Sequence, residues 1–301
     1  MNIVVFGSGA IGSLFGALLA KQHTVALVGR APHITCIQQK GLLINGKTRL
    51  IVSVRAVESV KDVSFSPDLI LLTVKSYDTE TASRQLSSLF NNQTVVVSLQ
   101  NGLNNIQKIE QYIEKKHILA GVTTQGALFV KPGTITHTGK GTTILGELHG
   151  DSSERLRTLV TVFNQAGIET QMSTDIKREI WRKAIINSSI NPLTAFLRCN
   201  NGYLLDNPVL ERTVESICTE SSVIASSEGI VVSALEMIEK TKKVIKDTAQ
   251  NYSSMMQSIQ QGKKTEIDSI NGELLRIGSE HKVETSLNRI LFEIITSLSP
   301  P

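Results

Sequence analysis

Asn2-Ile-Val-Val-Phe-Gly-Ser-Gly-Ala-Ile-Gly12 is the stretch on which the fold turns. A short run of β-prone apolar residues passes directly into a Gly-x-Gly-x-x-Gly turn, and Ser13 to Lys21 then places Leu14, Phe15, Leu18 and Leu19 at helical spacing. Three glycines alone are a weak signal, since an ordinary glycine-rich turn between a strand and a helix has the same pattern. The flanking strand and helix select a dinucleotide-binding turn. In that reading Gly7 permits the tight turn, Gly9 lets the backbone approach a pyrophosphate, and Gly12 allows the helix to pack closely, with Ser8, Ala10 and Ile11 completing the loop. The N–H groups and dipole at the start of the helix favour the anion.

Val25-Ala-Leu-Val-Gly29-Arg30 forms the second strand and ends about twenty residues beyond the glycines, where an NAD-binding chain places an acid against the ribose 2′-hydroxyl. Here Arg30 stands in that neighbourhood. Its planar fork suits a 2′-phosphate, and with no carboxylate nearby in sequence the expected cofactor is NADPH. An exposed arginine at a strand end is the competing reading.

A chain of 301 residues suggests two domains of ordinary size. The formal net charge of +4 is spread without a long basic run, which gives no case for nucleic acid and at most suggests an anionic small ligand. The apolar runs Leu69 to Val74 and Thr94 to Leu99 fall far short of the ~20 residues that span a bilayer, so no membrane partner is expected. The first strand begins almost at once, with no signal-peptide pattern, and a cytosolic location is expected. Cys36, Cys199 and Cys218 are too widely spaced for a disulfide framework or a metal knuckle. The six histidines lack ligand spacing, and no metal is expected.

Up to about residue 170, short β-rich runs alternate with helical stretches, as in a parallel sheet covered on both faces. Strands are expected at 2–6, 24–29, 69–74, 94–99, 118–123 and 168–172. Asn45-Gly46 marks a hairpin within 41–54 that decorates the sheet, and 134–148 reads as a second hairpin region. Beyond Ser173 helical periodicity takes over, with helices expected at 174–190, 192–198, 207–228, 233–250, 252–261, 264–280 and 286–297. The fold class is therefore α/β: a Rossmann-type dinucleotide-binding domain over 1–172, followed by an all-helical domain over 173–301. Substrate is expected in a cleft at the carboxyl ends of the strands.

Lys183, Asn187 and Asn191 recur at four-residue steps and form one polar stripe if the helix runs through. Ile180, Ala184, Ile185, Ile186 and Ile190 cover much of the remaining surface. Buried amides and a buried lysine need partners, and a ligand with carboxylate, carbonyl and hydroxyl oxygens would supply them. Lys183 would then donate a proton to an alkoxide forming as hydride reaches a ketone carbon. Periodicity alone equally allows a solvated charge beside Arg178, Glu179 and Arg182. Lys75 and Asn101 follow apolar strands and so lie at carboxyl ends, next to the expected cofactor, although loop capping explains them as well. Spacing alone makes Ser254 and Glu266 structural.

Several blocks together resemble ketopantoate reductase, the 2-dehydropantoate 2-reductase family: Gly-Ser-Gly-Ala-Ile-Gly12, Thr-Val-Lys75-Ser-Tyr, Gln-Asn101-Gly, Thr-Thr-Gln-Gly126-Ala127, Trp181-Arg-Lys183-Ala-Ile-Ile-Asn187-Ser-Ser-Ile-Asn191-Pro-Leu-Thr-Ala, Ser253-Ser254-Met, and Thr265-Glu266-Ile-Asp-Ser-Ile-Asn271-Gly. The resemblance spans essentially the whole chain. It implies reduction by NADPH of the keto group of 2-dehydropantoate to (R)-pantoate, with Lys183 as general acid and Glu266 as a carboxylate positioning substrate or cofactor. It further implies that Asn187, Asn191, Asn201 and Ser254 hold the substrate. On the cofactor side it implies Asn101 and Lys75, Arg30 at the 2′-phosphate, and a Gly126-Ala127 loop near the nicotinamide. Ser269 departs from a frequent tyrosine, and His281-Lys-Val-Glu-Thr from a common His-Gly-x-x-x-Pro turn. A related reductase of another branched 2-keto acid or an imine, and a non-catalytic dinucleotide sensor, are the alternatives. Monomer and homodimer are both open.

Overall fold

The apolar run Asn2–Phe6 forms strand β1 in the interior of an eight-stranded sheet, buried on both faces. The computed structural model describes residues 1–300 and divides into two compact units. The first comprises Met1–Gln100 and Asn105–Ile176; the second comprises Asn101–Asn104 with the chain from Lys177 onward.

In the first unit β1 is followed by α1 (Ala10–Leu19), β2 (Thr24–Val28), α2 (Ala31–Lys40), β3 (Leu42–Gly46), β4 (Leu50–Val52), β5 (Arg55–Val57) and β6 (Leu69–Leu72). Next come α3 (Thr79–Leu86), β7 (Val95–Ser98), α4 (Asn105–Glu110), β8 (Ile118–Thr123), β9 (Gly126–Lys131), β10 (Thr134–Gly139), β11 (Thr143–Glu147), α5 (Glu154–Gln165) and β12 (Thr170–Met172). The large sheet has the order β12-β11-β8-β7-β6-β1-β2-β5. Strand β1 pairs in parallel with β2 on one side (Val4 with Ala26) and with β6 on the other (Val4 with Ile70). The chain thus winds outwards in both directions from β1, and the carboxyl ends of β1 and β6 form the switch point at which such sheets bind ligands.

The expected parallel sheet is mixed: β11 runs antiparallel to β8, and β12 follows β11. The Asn45-Gly46 hairpin forms, with Leu42 opposite Val52, but it does not decorate the large sheet. Strand β10 adds to it in parallel, giving a separate sheet of order β4-β3-β10-β9. Residues 134–148 are accordingly no hairpin, because β10 joins the small sheet and β11 the large one. Helix α1 packs on β1 and β2 and also on β3, β9 and β10. That double contact explains why Leu14, Phe15, Leu18 and Leu19 are all buried, on a helix whose surface is apolar nearly all round.

The second unit contains α6 (Ile176–Leu197), α7 (Tyr203–Asp206), α8 (Pro208–Ser227), α9 (Ala234–Asp247), α10 (Ser254–Gln260), α11 (Asn271–His281) and α12 (Ser286–Leu298). Asn207, Ser233 and Ser253 cap α8, α9 and α10 by accepting from Val209, Glu236 and Met256 N–H groups. The expected break at Pro192 does not occur: α6 continues through it as one helix. The expected helix over 264–280 divides instead into one 3₁₀ turn (Ile267–Ser269) and α11. Trp181, Ile185 and Leu193 of α6 pack with Ile217, Met237 and Leu274 in one core. Ala195 joins Met255, Met256, Ile267, Ile270 and Ile295 in another. No helix among the described residues is long and apolar enough to cross a membrane.

Candidate active site

The glycine turn is held from three sides. The N–H groups of Gly7 and Ser8 both donate to the Val28 carbonyl at 3.0 Å, and Thr73 Oγ1 donates to the Gly7 carbonyl at 2.8 Å. On the third side, Gly133 N–H donates to His33 Nδ1 at 2.9 Å, so the neutral ring carries its proton on Nε2. Nε2 lies 3.0 Å from Ser13 Oγ, which in turn donates to the Ser8 carbonyl at 3.0 Å. Burial lowers the His33 pKa and keeps the ring in that neutral form.

The three glycines serve different needs. Gly7 has φ +108°, and a Cβ there would lie 2.5 Å from Val74 N. At Gly12 a Cβ would meet the Gly7 carbonyl oxygen at 2.1 Å. Gly9, by contrast, has φ −71° and faces open space, with no atom within 4 Å of where a Cβ would lie. Nothing in the protein requires a glycine at residue 9, whereas a ligand backing onto the chain would. No side chain caps α1, so the N–H groups of its first turn are left for an anion. The turn therefore fits a dinucleotide pyrophosphate.

Arg30 is exposed at the start of α2, and its Nη2 lies 3.5 Å from Asp78 Oδ2. No acid stands near Arg30 in sequence; the fold supplies one from the loop after β6. Lys75, half-buried, immediately precedes a 3₁₀ turn (Ser76–Asp78) beyond the end of β6. Gly126 and Ala127 open strand β9 rather than a loop, and a Cβ on Gly126 would meet Thr138 Oγ1 at 2.7 Å.

In the second unit α6 carries Lys183, Asn187 and Asn191 on one continuous face. Lys183 and Asn187 are half-buried and Asn191 is 7% exposed. The carboxyl half of α6 meets the start of α10, where Thr194 Oγ1 donates to Ser253 Oγ at 2.8 Å, next to the exposed Ser254. Asn201 N–H donates to the Asn251 carbonyl at 2.9 Å, and its buried side chain donates to Thr248 Oγ1. Its Oδ1 has no hydrogen-bond partner among the described residues. Glu266 is 7% exposed and accepts from Asn101 Nδ2 at 3.4 Å. The Asn101 segment is fastened further by Leu103 N–H donating to the Ser269 carbonyl and by Asn104 Nδ2 donating to Glu273. Gly7 to Gly12, Arg30 and Lys75 thus belong to the first unit, and Asn101, Lys183, Asn187, Asn191, Asn201, Ser254 and Glu266 to the second, where Asn101 and Glu266 meet directly.

Residues 3–150 match the ketopantoate reductase PanE/ApbA family, and residues 175–299 match that family's C-terminal part. The chain belongs to the ketopantoate reductase family. A 2-dehydropantoate 2-reductase of Pyrococcus horikoshii is 37% identical over 298 residues, which are 98% of this chain and 96% of that protein. Among solved structures, a ternary complex of D-mandelate dehydrogenase with NADH and anilino(oxo)acetate superposes with a TM-score of 0.93 at 28% identity, covering 99% of this chain and 98% of that one. A PanE/ApbA family ketopantoate reductase from Ralstonia eutropha JMP134 gives 0.91 at 26% identity, with coverage of 99% and 98%.

Within this ketopantoate reductase family member, three residues that brace or oppose the cofactor turn are not legible as such in the sequence. Thr73 lies beside Lys75 in one of the family-like blocks, but its clamp on Gly7 depends on β6 pairing with β1. His33 shows only as a lone histidine in a helix, and its partners Ser13 and Gly133 come from other elements, Gly133 being distant in sequence. Asp78 is 48 residues from Arg30, and no spacing rule links the two.

Proposed function

We propose that this protein is an NADPH-dependent 2-dehydropantoate 2-reductase, with residues 1–172 as the cofactor domain and residues 173–301 holding the 2-keto acid. The observation that carries the reading is the unbroken α6, which puts a lysine and two amides on one face in a chain similar over its full length to 2-dehydropantoate 2-reductases. The bound nicotinamide would supply the hydride for the keto carbon. Gly7 to Gly12 and the first turn of α1 bind the pyrophosphate, and Arg30 binds the 2′-phosphate. Lys75, Asn101 and the Gly126-Ala127 segment complete the cofactor contacts.

Asn187, Asn191 and Ser254 donate to the carboxylate and hydroxyl oxygens of the substrate, and Asn201, whose amide NH2 is engaged by Thr248, offers its Oδ1 to a substrate hydroxyl, together fixing which face of the keto group is presented. The Lys183 ammonium donates its proton to the keto oxygen as negative charge develops there, giving the hydroxyl of the product. Glu266 orients the substrate, with Asn101 Nδ2 holding one of its oxygens. The test is loss of NADPH absorbance on adding 2-dehydropantoate; no oxidation of NADPH with this or any other 2-keto acid refutes the reading.

The D-mandelate dehydrogenase likeness favours a second reading, reduction of a different 2-keto acid with NADH. The Arg30–Asp78 pair is consistent with it, because an acid beside the arginine opposes a 2′-phosphate. Ratios of kcat/KM for 2-dehydropantoate against phenyl-substituted 2-keto acids, each with NADPH and NADH, separate the two.

A further inference from the structure

Pro192 lies inside α6 and has no N–H, so the carbonyl of Ser188, one turn earlier, loses its usual i+4 backbone donor. Asn271 supplies a side-chain donor. Its Nδ2 donates to the Ser188 carbonyl at 3.3 Å and to Asn288 Oδ1 at 2.9 Å. Asn288 Nδ2 donates in turn to Glu220 Oε1 at 2.8 Å and to Ser221 Oγ at 3.1 Å. The Glu220 carboxylate also accepts the backbone N–H groups of Leu287 and Asn288, both at 2.9 Å.

An ionised carboxylate only accepts hydrogen bonds, so Glu220 dictates which way the Asn288 amide points. The Asn288 oxygen must then face Asn271, and this leaves the Asn271 NH2 group directed at both Asn288 and Ser188. Ser188, Asn271 and Asn288 are all fully buried, where a misdirected amide is costly. The chain of bonds links α8, α12 and α11 to a single carbonyl of α6. Ser188 is the residue after Asn187, and Asn271 stands five residues beyond Glu266, with only the Ile267–Ser269 turn and Ile270 between.

We propose that Asn271 is a positioning residue. By holding the carbonyl that Pro192 deprives of its i+4 backbone donor, it keeps the Lys183–Asn187–Asn191 face of α6 in register with the segment that carries Glu266. The proposal rests on the reductase reading above. It differs from a purely structural role in that kcat/KM per folded enzyme, and not stability alone, should fall on losing Asn271; Pro192→Ala, which restores a backbone N–H for Ser188, should make Asn271 less necessary.

The experiment uses the full-length protein as wild type, Asn271→Ala, Pro192→Ala and the double variant, with urea denaturation, steady-state kinetics and NADPH titration. Asn271→Ala should lower kcat/KM for the keto acid on the order of 10²-fold, as expected for misplaced reacting groups. NADPH affinity should remain within about two-fold, because binding of the cofactor alone does not use the α6 face. In the Pro192→Ala background the same substitution should cost less, both in stability and in kcat/KM. Additive losses overturn the proposal. So does an Asn271→Ala protein that melts early while kcat and KM per folded enzyme stay at wild-type values. Wild-type protein that turns over no 2-keto acid refutes the reductase reading and the positioning role with it, whereas wild-type turnover with unchanged Asn271→Ala kinetics refutes the positioning role alone.

Discussion

Alanine at residue 9 separates ligand demand from fold demand in the glycine turn. Gly9 has φ −71°, which alanine adopts readily, and a Cβ would have no neighbour within 4 Å. Alanine is a poor helix N-cap, worth about 1 kcal/mol against the better caps, while replacing glycine restricts the unfolded chain by about 0.4–1 kcal/mol. The two effects oppose each other, so Tm should move by no more than about 2–4 °C. The cofactor should respond differently. A methyl in the open space pushes the pyrophosphate away from the first turn of α1, and losing one charge-assisted hydrogen bond of about 1.5–3 kcal/mol weakens NADPH roughly 10- to 100-fold. Gly12→Ala is the contrasting variant: its Cβ would sit 2.1 Å from the Gly7 oxygen and 2.5 Å from Thr73 Oγ1, so stability should fall by about 1–3 kcal/mol or more. Fluorescence titration with NADPH and thermal melts of both variants provide the assay. Wild-type affinity in a well-folded Gly9→Ala protein would show that no phosphate approaches the turn there.

Arg30→Ala should weaken NADPH on the order of ten-fold while leaving NADH nearly unchanged, and Asp78→Asn should tighten NADPH selectively. Equal effects on both cofactors in titrations would remove the 2′-phosphate role. Lys183→Ala should lower kcat by about 10²–10⁴-fold with NADPH affinity retained, and an unaltered kcat would take Lys183 out of the proton transfer. Burial holds the His33 pKa below its ordinary value, so the folded state binds fewer protons than the unfolded chain, and stability should be lost as pH falls below about 6.5. His33→Gln should flatten that decline in urea midpoints measured between neutral and mildly acidic pH. It should not abolish the decline, since burial also lowers the pKa values of His23 and His137. An unchanged slope would show that protonating His33 does not load the glycine turn.

The strand–glycine–helix opening, the shift from βα alternation to helices, and the four-residue step from Lys183 to Asn187 are all legible in the amino-acid sequence. Each of these rests on short-range periodicity or on the chemistry of adjacent residues, and so can be read without knowing what lies nearby in space. Tertiary structure alone decided the rest. Strands β10 and β11 are near neighbours in sequence, yet each joined the sheet whose edge could pair it, so local β-propensity could not distinguish one hairpin from two sheets. Pro192 reads locally as a helix stop, but α6 runs through it, and Asn271, 79 residues later, donates to the carbonyl that lost its i+4 backbone donor. Arg30 is unopposed in sequence until the loop after β6 brings Asp78 to it. In each case the deciding partner lies outside the local stretch, and only packing of the folded chain brings it within hydrogen-bonding or ionic range.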